Sequence, residues 1–100
     1  MLESTALVRD INVTKDGHTT RGAIVIGPVR KDDYKQCWQC SWRVTPGYPE
    51  ESHVYGEDSL QALCLCIEIV DELIRDLGES TGVSIWWLEK GDCGGLLKRK

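Results

Sequence analysis

The stretch D-S-L-Q-A-L-C-L-C-I-E-I-V-D-E-L-I-R-D-L-G, from Asp58 to Gly78, is the one segment long and apolar enough to organise a core. It predicts a single helix, because Asp58 can act as N-cap, Gln61 can complete a capping box, and Gly78 is a typical helix end. At about 100° per residue, one broad face is apolar, comprising Leu60, Leu63, Cys66, Ile67, Val70, Leu73, Ile74 and Leu77. The polar residues, Asp71 and Arg75 among them, gather opposite. The helix is therefore amphipathic and covers a core.

Two strands joined by a tight turn are predicted at the start of the chain. Ala6 to Thr14 is rich in β-branched residues, and the second arm, Thr19 to Val29, contains the apolar run Ala23 to Ile26. Between them lies Asp16-Gly17, a dipeptide that commonly joins hairpin strands. The apolar run is too continuous for a half-exposed strand, so the second arm is predicted to be central or covered on both sides.

A third strand, Tyr34 to Val44, alternates cleanly and places Trp38 and Trp42 on the face directed to the core. The charged run Arg30 to Asp33 before it is predicted to be a solvated turn. Thr45 to Glu51 holds two of the three prolines and is predicted to be an exposed turn before a short fourth strand, Ser52 to Tyr55.

A last strand, Val83 to Leu88, is predicted after the helix, which gives the order ββββαβ. The fold class is α+β, with an antiparallel sheet of about five strands and one long helix packed on one face. Residues 1–90 form a single domain, and residues 91–100, with three glycines and a basic end, form a flexible tail.

Composition indicates the number of domains, the location of the protein and the kind of partner. The chain has 100 residues, 41% of them hydrophobic, which suits one compact domain. No run approaches the roughly 18 apolar residues of a membrane span and no secretory signal is recognisable, so a cytoplasmic protein is expected. Five cysteines at irregular spacing favour reduced thiols. A formal net charge of −4 disfavours nucleic acid as partner and favours a basic protein surface.

The motif C-W-Q-C, Cys37 to Cys40, is the strongest chemical signal, since such pairs bind zinc or exchange disulfides. Residues three apart on a strand point to opposite faces, however, and there is no second pair. The two histidines, His18 and His53, have no metal-ligand spacing to the motif or to each other. We therefore expect no metal, no cofactor and no catalytic residue, and a protein that is not an enzyme.

Apolar surface exceeds what one helix can cover, because the chain contains four tryptophans. Trp86 and Trp87 must face opposite sides of the last strand, so one indole stays outside whichever face the helix takes. This favours a partner interface, although a sheet that curls around its helix would bury the same residues. The predicted partner-binding residues combine an acidic rim with apolar positions: Glu50, Glu51, Glu57, Leu65, Trp86 and Leu88.

The segment Y-G-E-D-S-L-Q-A-L, Tyr55 to Leu63, with Trp38-Gln39-Cys40 before it and a tryptophan-containing strand after it, resembles an uncharacterised family of small bacterial proteins. The resemblance implies a freestanding bacterial α+β domain without a known catalytic centre. In size and charge the chain is also similar to the immunity proteins that neutralise toxins.

The favoured function is thus a non-catalytic protein-binding module, an immunity-type or otherwise inhibitory partner of a basic toxin or enzyme. Two alternatives stay open: a small enzyme or ligand-binding domain with a pocket near Tyr55, Asp58 and His53, and a structural homodimer.

Overall fold

The computed structural model describes residues 6–45, 47–88 and 96, and within them an α+β fold in the predicted order ββββαβ. Its elements, in chain order, are β1 Leu7–Lys15, β2 His18–Asp32, β3 Cys37–Thr45, β4 Tyr48–Gly56, α1 Ser59–Thr81 and β5 Ser84–Trp86. The strands form one antiparallel sheet in the order β4-β3-β2-β1-β5. Strand β2, which contains the apolar run, is therefore central as predicted, and β4 and β5 are the two edges.

The first hairpin follows the predicted turn. Asp16 and Gly17 both have positive φ, 52° and 80°, which two-residue hairpin turns need in order to match the twist of the strands. Strand β1 pairs with β2 along its whole length, from Leu7 opposite Ile26 to Lys15 opposite His18. The second arm is longer than predicted, and a bulge at Gly27–Pro28, joined by a cis peptide bond, interrupts its pairing with β3.

Two predicted turns prove shorter than expected. Arg30, Lys31 and Asp32 belong to β2, where they pair with Gln39, Trp38 and Cys37. The chain reverses only after Asp32, whose Oδ1 accepts hydrogen bonds from the backbone N–H groups of Tyr34 and Lys35 at 3.1 Å each. The predicted solvated turn at Arg30 to Asp33 is therefore wrong for its first three residues, because a strand tolerates charged side chains where they are exposed, as Arg30 and Lys31 are.

Strand β4 likewise begins at Tyr48 rather than at Ser52, so most of the predicted turn from Thr45 to Glu51 is strand. An edge strand accommodates Pro49 because one side of the strand has no ladder hydrogen bond to lose. Tyr48 pairs with Val44, and its ring meets that of Trp42 edge-on at 5.8 Å between centroids. Pro46 lies outside the described residues.

The helix begins as predicted and ends later. The Asp58 side chain accepts a hydrogen bond from the Gln61 N–H at 2.7 Å, and the Gln61 side chain accepts one from the Glu57 N–H at 2.7 Å. This reciprocal pair caps the first turn. At the other end, Gly78 stays helical and Gly82, with φ of 69°, ends the helix in the left-handed conformation. The later stop shortens the last strand to Ser84–Trp86, against the predicted Val83 to Leu88.

One face of the sheet carries the core. Alternate residues of β1, β2 and β3 are buried on this face, and the buried apolar set is Ile11, Val13, Ile24, Ile26, Cys40, Trp42, Val44, Ala62, Cys66, Val70, Ile74 and Ile85. Trp38 packs against this core from its rim, so both indoles of β3 lie on the predicted face. The helix packs on β2, β3, β4 and β5. The predicted tail, residues 91–100, lies outside the described residues except for Leu96.

Candidate functional site

Exposed apolar side chains concentrate at one corner of the sheet. Eight large apolar or aromatic residues of the described chain are exposed, and four of them lie where β1 begins and where the chain leaves β5. We call these four the apolar corner: Leu7 (61% exposed), Val8 (63%), Trp87 (39%) and Leu88 (71%). Isolated exposed apolar residues are common, but four at one corner of a sheet, on both of its faces, are a feature of interaction sites.

Backbone pairing places these residues at one edge of the sheet. Strand β5 is only three residues long and pairs with Asn12, Val13 and Thr14 of β1. Within the described residues, the stretch of β1 from Leu7 to Ile11 therefore pairs with β2 on one side and with no strand on the other.

Hydrogen bonds hold the chain in place as it leaves β5. The Asn12 side-chain amide donates to the carbonyl oxygen of Trp87 at 3.1 Å, and the Trp86 indole N–H donates to the Thr14 hydroxyl at 3.1 Å. Arg9 lies over the Trp87 ring, with its guanidinium carbon 3.7 Å from the ring centroid. Cation–π contacts of this kind are worth roughly 0.5–1 kcal/mol at exposed sites. Trp87 is thus oriented although it is exposed.

A groove of about 260 Å³ opens at this corner, between β1 and the helix. We call it the β1 groove. Most of its lining is aliphatic, and the residues that form it are Leu7, Val8, Arg9, Ile24, Ile26, Ile67 and Leu96. Leu96 comes from the C-terminal segment and packs against the core, so the groove brings together the start of the domain, the middle of the helix and the chain's end.

Asp71 fixes Leu96 in this position. Its side chain is fully buried, and the carboxylate accepts hydrogen bonds from the Leu96 N–H at 2.8 Å and from Arg75 Nε at 3.0 Å. The prediction that Asp71 belongs to the solvent-facing stripe of the helix is therefore wrong. A buried carboxylate is costly unless it is paired and hydrogen-bonded, and here Arg75 and the C-terminal backbone supply the partners.

The predicted partner-binding residues do not form one surface. Glu50 and Glu51 are exposed on β4, Glu57 is exposed at the start of α1, and Leu65 is half-buried on the helix. Trp86 and Leu88 lie at the opposite edge of the sheet, where Leu88 joins the apolar corner. The Trp86 side chain faces away from the helix. It donates a hydrogen bond to Thr14, whose side chain lies on the opposite face of β1 from that of the buried Val13. Helix α1 therefore covers the face that bears Ile85.

A second concavity lies at the N-terminal end of the helix, where a ligand pocket was the predicted alternative. It is a polar cleft of about 530 Å³ formed by Lys35, Gln36, Cys37, Tyr55, Gly56, Glu57 and Gln61. The Lys35 ammonium lies 4.2 Å from the Tyr55 ring centroid, and hydrogen bonding to Tyr55 raises the pKa of Lys35. His53 and Asp58, predicted near this pocket, do not line it. The Asp58 side chain caps the helix, and His53 Nε2 lies 3.8 Å from Glu51 Oε2.

The cysteines follow the predicted alternation. Cys40 is buried under the helix, whereas Cys37 is half-buried on the opposite face of β3. Cys40 and Cys66 both direct their thiols to the Ser41 carbonyl oxygen, at 3.7 and 3.9 Å. Burial raises the pKa of both thiols, which keeps them protonated and unreactive. Among the described residues, no group of three or more histidine, cysteine or acidic side chains could hold a metal ion.

Sequence reasoning missed most of the residues that build this corner. Leu7, Val8 and Arg9 have the ordinary alternation of a strand, and nothing in it indicates that they line a groove. Asp71 and Arg75 have the i, i+4 spacing of any surface ion pair. The one available signal is the pair Leu96-Leu97, two apolar residues at the end of an otherwise polar, glycine-rich tail.

The chain belongs to the family described as domain of unknown function DUF6968, whose match covers residues 7–97. It therefore contains an uncharacterised domain, as the resemblance implied, and this domain extends from the first residue of β1 to just beyond Leu96. Searches of curated proteins and of solved structures give no match. No helix in the described part of the chain is long and apolar enough to cross a membrane.

Proposed function

We propose that this protein is a non-catalytic protein-binding module that holds its partner at the apolar corner. The observation that supports this most strongly is the coincidence of two features at one place: four exposed apolar side chains and the β1 groove. Tryptophan and arginine are the residue types that concentrate binding energy in interfaces, and Trp87 with Arg9 supplies both.

Charge indicates the kind of partner. Helix α1 contains five acidic residues and one arginine, so it has a formal charge of −4, equal to that of the whole chain. One residue of this helix, Ile67, lines the β1 groove, and the charged residue in the lining is Arg9. A partner that approaches the groove from the helix side meets the acidic helix, which favours a basic protein and speeds its approach.

The setting we propose is the cytoplasm of a bacterium, where the module would act as an immunity-type or otherwise inhibitory partner of a basic toxin or enzyme. The small size, the acidic charge and the resemblance to freestanding bacterial domains support this part of the proposal. In this role the module blocks another protein's surface by occupying it, which requires an exposed docking face and no catalytic groups of its own.

Capture from a bacterial lysate, or with the product of the adjacent gene, tests the proposal when it is run with matched variants. Leu88→Asp places a charge in the apolar corner, whereas Leu60→Asp places one at an equally exposed leucine (68%) at the start of the helix. The expected result is a basic protein that is retained by the unchanged chain and by Leu60→Asp and lost by Leu88→Asp. Equal retention by both variants, or no specific partner, would overturn the proposal.

Size measurement in solution addresses the homodimer alternative with the same variants. If the unchanged chain is a dimer that Leu88→Asp dissociates, the partner at the corner is a second copy of this chain. A monomer for all three proteins leaves the corner free for a different protein.

The cleft beside Lys35 and Tyr55 supports a second candidate function, the binding of a small polar ligand. Its walls combine a cation, a phenol and a thiol, a set of groups able to orient an anionic or hydroxylated molecule. The capping bonds of Asp58 and Gln61 already use helix N-terminal groups that would otherwise bind an anion. We therefore place this candidate second. A ligand whose stabilising effect on the unchanged chain disappears in Lys35→Ala would support it.

A further inference from the structure

Two thiols lie side by side in the core between the sheet and the helix. Cys40 on β3 and Cys66 on α1 are both fully buried, and their sulfur atoms lie 3.7 and 3.9 Å from one oxygen, the Ser41 carbonyl. The two thiols also hydrogen-bond to each other. The other described cysteines are placed differently, because Cys37 is half-buried on the opposite face of β3 and Cys64 is exposed on the helix. The core therefore contains one pair of adjacent thiols, contributed by two different elements.

This adjacency determines which product oxidation gives. Hydrogen peroxide converts a thiol to a sulfenic acid and releases one water molecule. A second thiol then attacks that sulfur, forms the S–S bond and expels the oxygen as a second water molecule, so that two thiols together give two electrons and two protons to the peroxide. For a sulfenic acid at either position, the first nucleophile available is the thiol already hydrogen-bonded to it. The product is a disulfide between Cys40 and Cys66.

Burial determines when this reaction can occur. It raises the pKa of both thiols, so the closed core contains little of the reactive thiolate and is oxidised slowly. Peroxide reaches the pair when α1 lifts from the sheet in a local opening. A disulfide that forms after such an opening ties the helix to the sheet and prevents the next one.

We propose that Cys40 and Cys66 form a redox-sensitive lock, in which peroxide joins the two thiols in a reversible disulfide that fastens α1 to β3. The lock goes beyond the proposed function, because it needs no partner. It also fixes the helix beside the β1 groove, since Ile67 follows Cys66 and lines that groove. The loop that the disulfide closes includes β4 and the first part of α1. Constraining this loop in the unfolded chain should lower the unfolded fraction on the order of a hundredfold.

The test uses the full-length reduced protein, which is treated with hydrogen peroxide while folded, quenched with catalase, unfolded and alkylated with N-ethylmaleimide. Peptide mass spectrometry is expected to find Cys40 and Cys66 joined to each other, with the mass of two hydrogens lost. Dithiothreitol should restore both thiols. Urea denaturation of the oxidised protein should have a higher midpoint than that of the reduced protein, and amide hydrogen exchange of α1 around Cys66 should be slower.

Variants separate the buried pair from the other thiols. The triple variant Cys37→Ser, Cys64→Ser, Cys93→Ser retains only the pair and should show the same rise in the urea midpoint on oxidation. Cys66→Ala leaves Cys40 without its partner thiol and should show no rise. Cys64→Ser is the matched control, because it removes a thiol two positions away on the same helix and should keep the rise.

Three results would overturn the proposal. In the first, peroxide oxidises the exposed thiols and leaves Cys40 and Cys66 reduced. In the second, it converts Cys40 and Cys66 separately to sulfinic acids. In the third, the disulfide forms but the urea midpoint of the oxidised protein does not rise. The peptide map of the unchanged chain decides between the first two results and the proposal even if Cys66→Ala does not fold.

Discussion

The two edges of the sheet are built in opposite ways. The β4 edge is nine residues long, and its exposed residues include Pro49, Glu50 and Glu51. The β1–β5 edge is covered by only three residues of β5, and beyond them it presents the apolar corner. Proline and charged side chains on an edge prevent unwanted pairing with other chains. Within the described residues the two edges therefore differ in composition: one exposes proline and acidic side chains, and the other exposes apolar ones.

The edges also depend on different anchors. The acidic edge joins the helix at Gly56, where backbone packs against backbone. The apolar edge is anchored by a buried charge, since Asp71 holds Leu96 in the lining of the β1 groove. Substitutions at these two anchors, and at the exposed residues of each edge, provide direct tests of the contrast.

The largest expected effect is that of Asp71→Ala. The change removes the carboxylate that pairs with Arg75 and accepts the Leu96 N–H, so the free energy of unfolding should fall by about 3 kcal/mol. Urea denaturation followed by circular dichroism measures the loss. Asp76→Ala, at an exposed position of the same helix, is the control and should change stability by less than about 0.5 kcal/mol. Equal losses for the two variants would mean that Asp71 does not anchor the apolar edge.

Gly56→Ala tests the anchor of the acidic edge and should cost about 2 kcal/mol, because a methyl group there overpacks a tight contact. An added Cβ would lie 2.5 Å from the Ala62 nitrogen and 2.8 Å from its Cα, so β4 or the helix would have to move. Thermal unfolding of the variant gives the measurement. A variant as stable as the unchanged chain would show that β4 and α1 can move apart at this contact without a loss of stability.

Gly78→Ala should raise the free energy of unfolding, whereas Gly56→Ala lowers it. Gly78 is inside the helix, and an added Cβ would have its nearest neighbour, the Val83 carbonyl oxygen, at an ordinary 3.8 Å. Alanine is preferred to glycine in a helix interior by roughly 0.5–1 kcal/mol, so the variant should be more stable by that amount. The same thermal unfolding measurement applies. A loss of stability would indicate that Gly78, like Gly56, makes a contact too close for a side chain.

Local signals were sufficient for most of the fold. Asp16-Gly17 fixed the first hairpin, the alternation of β3 identified its buried face, and Asp58 with Gln61 located the helix start. The errors arose where two local signals competed. Gly78 and Gly82 both suit a helix end, and only the second takes the left-handed conformation. Arg30 to Asp32 and Pro49 have the composition of loops, and the partner strand β3 overrides that preference.

The candidate site could not be predicted in the same way, because every feature of it joins distant parts of the chain. Strand β5 pairs with β1 across seventy or more residues, and only that pairing brings Trp87 and Leu88 to the start of β1. Asp71 is buried because Leu96, 25 positions later, contributes its backbone N–H. The prediction placed Leu88 at an interface on the basis of local alternation, but it combined Leu88 with glutamates that belong to the other edge.

Because these glutamates lie far from the apolar corner, their substitution should have the smallest effect on partner binding. Glu50 and Glu51 lie four strand spacings from β5, about 19 Å away. The Debye length at physiological ionic strength is about 8 Å, so a partner at the apolar corner is largely screened from them. The double reversal Glu50→Lys, Glu51→Lys should therefore change stability by less than about 0.5 kcal/mol and slow association with a basic partner only at low salt. Association rates measured at two salt concentrations, beside the same double reversal at Glu72 and Asp76, distinguish the edges. A large effect of the β4 reversal that persists at high salt would mean that the partner binds the acidic edge, and that the apolar corner has another use.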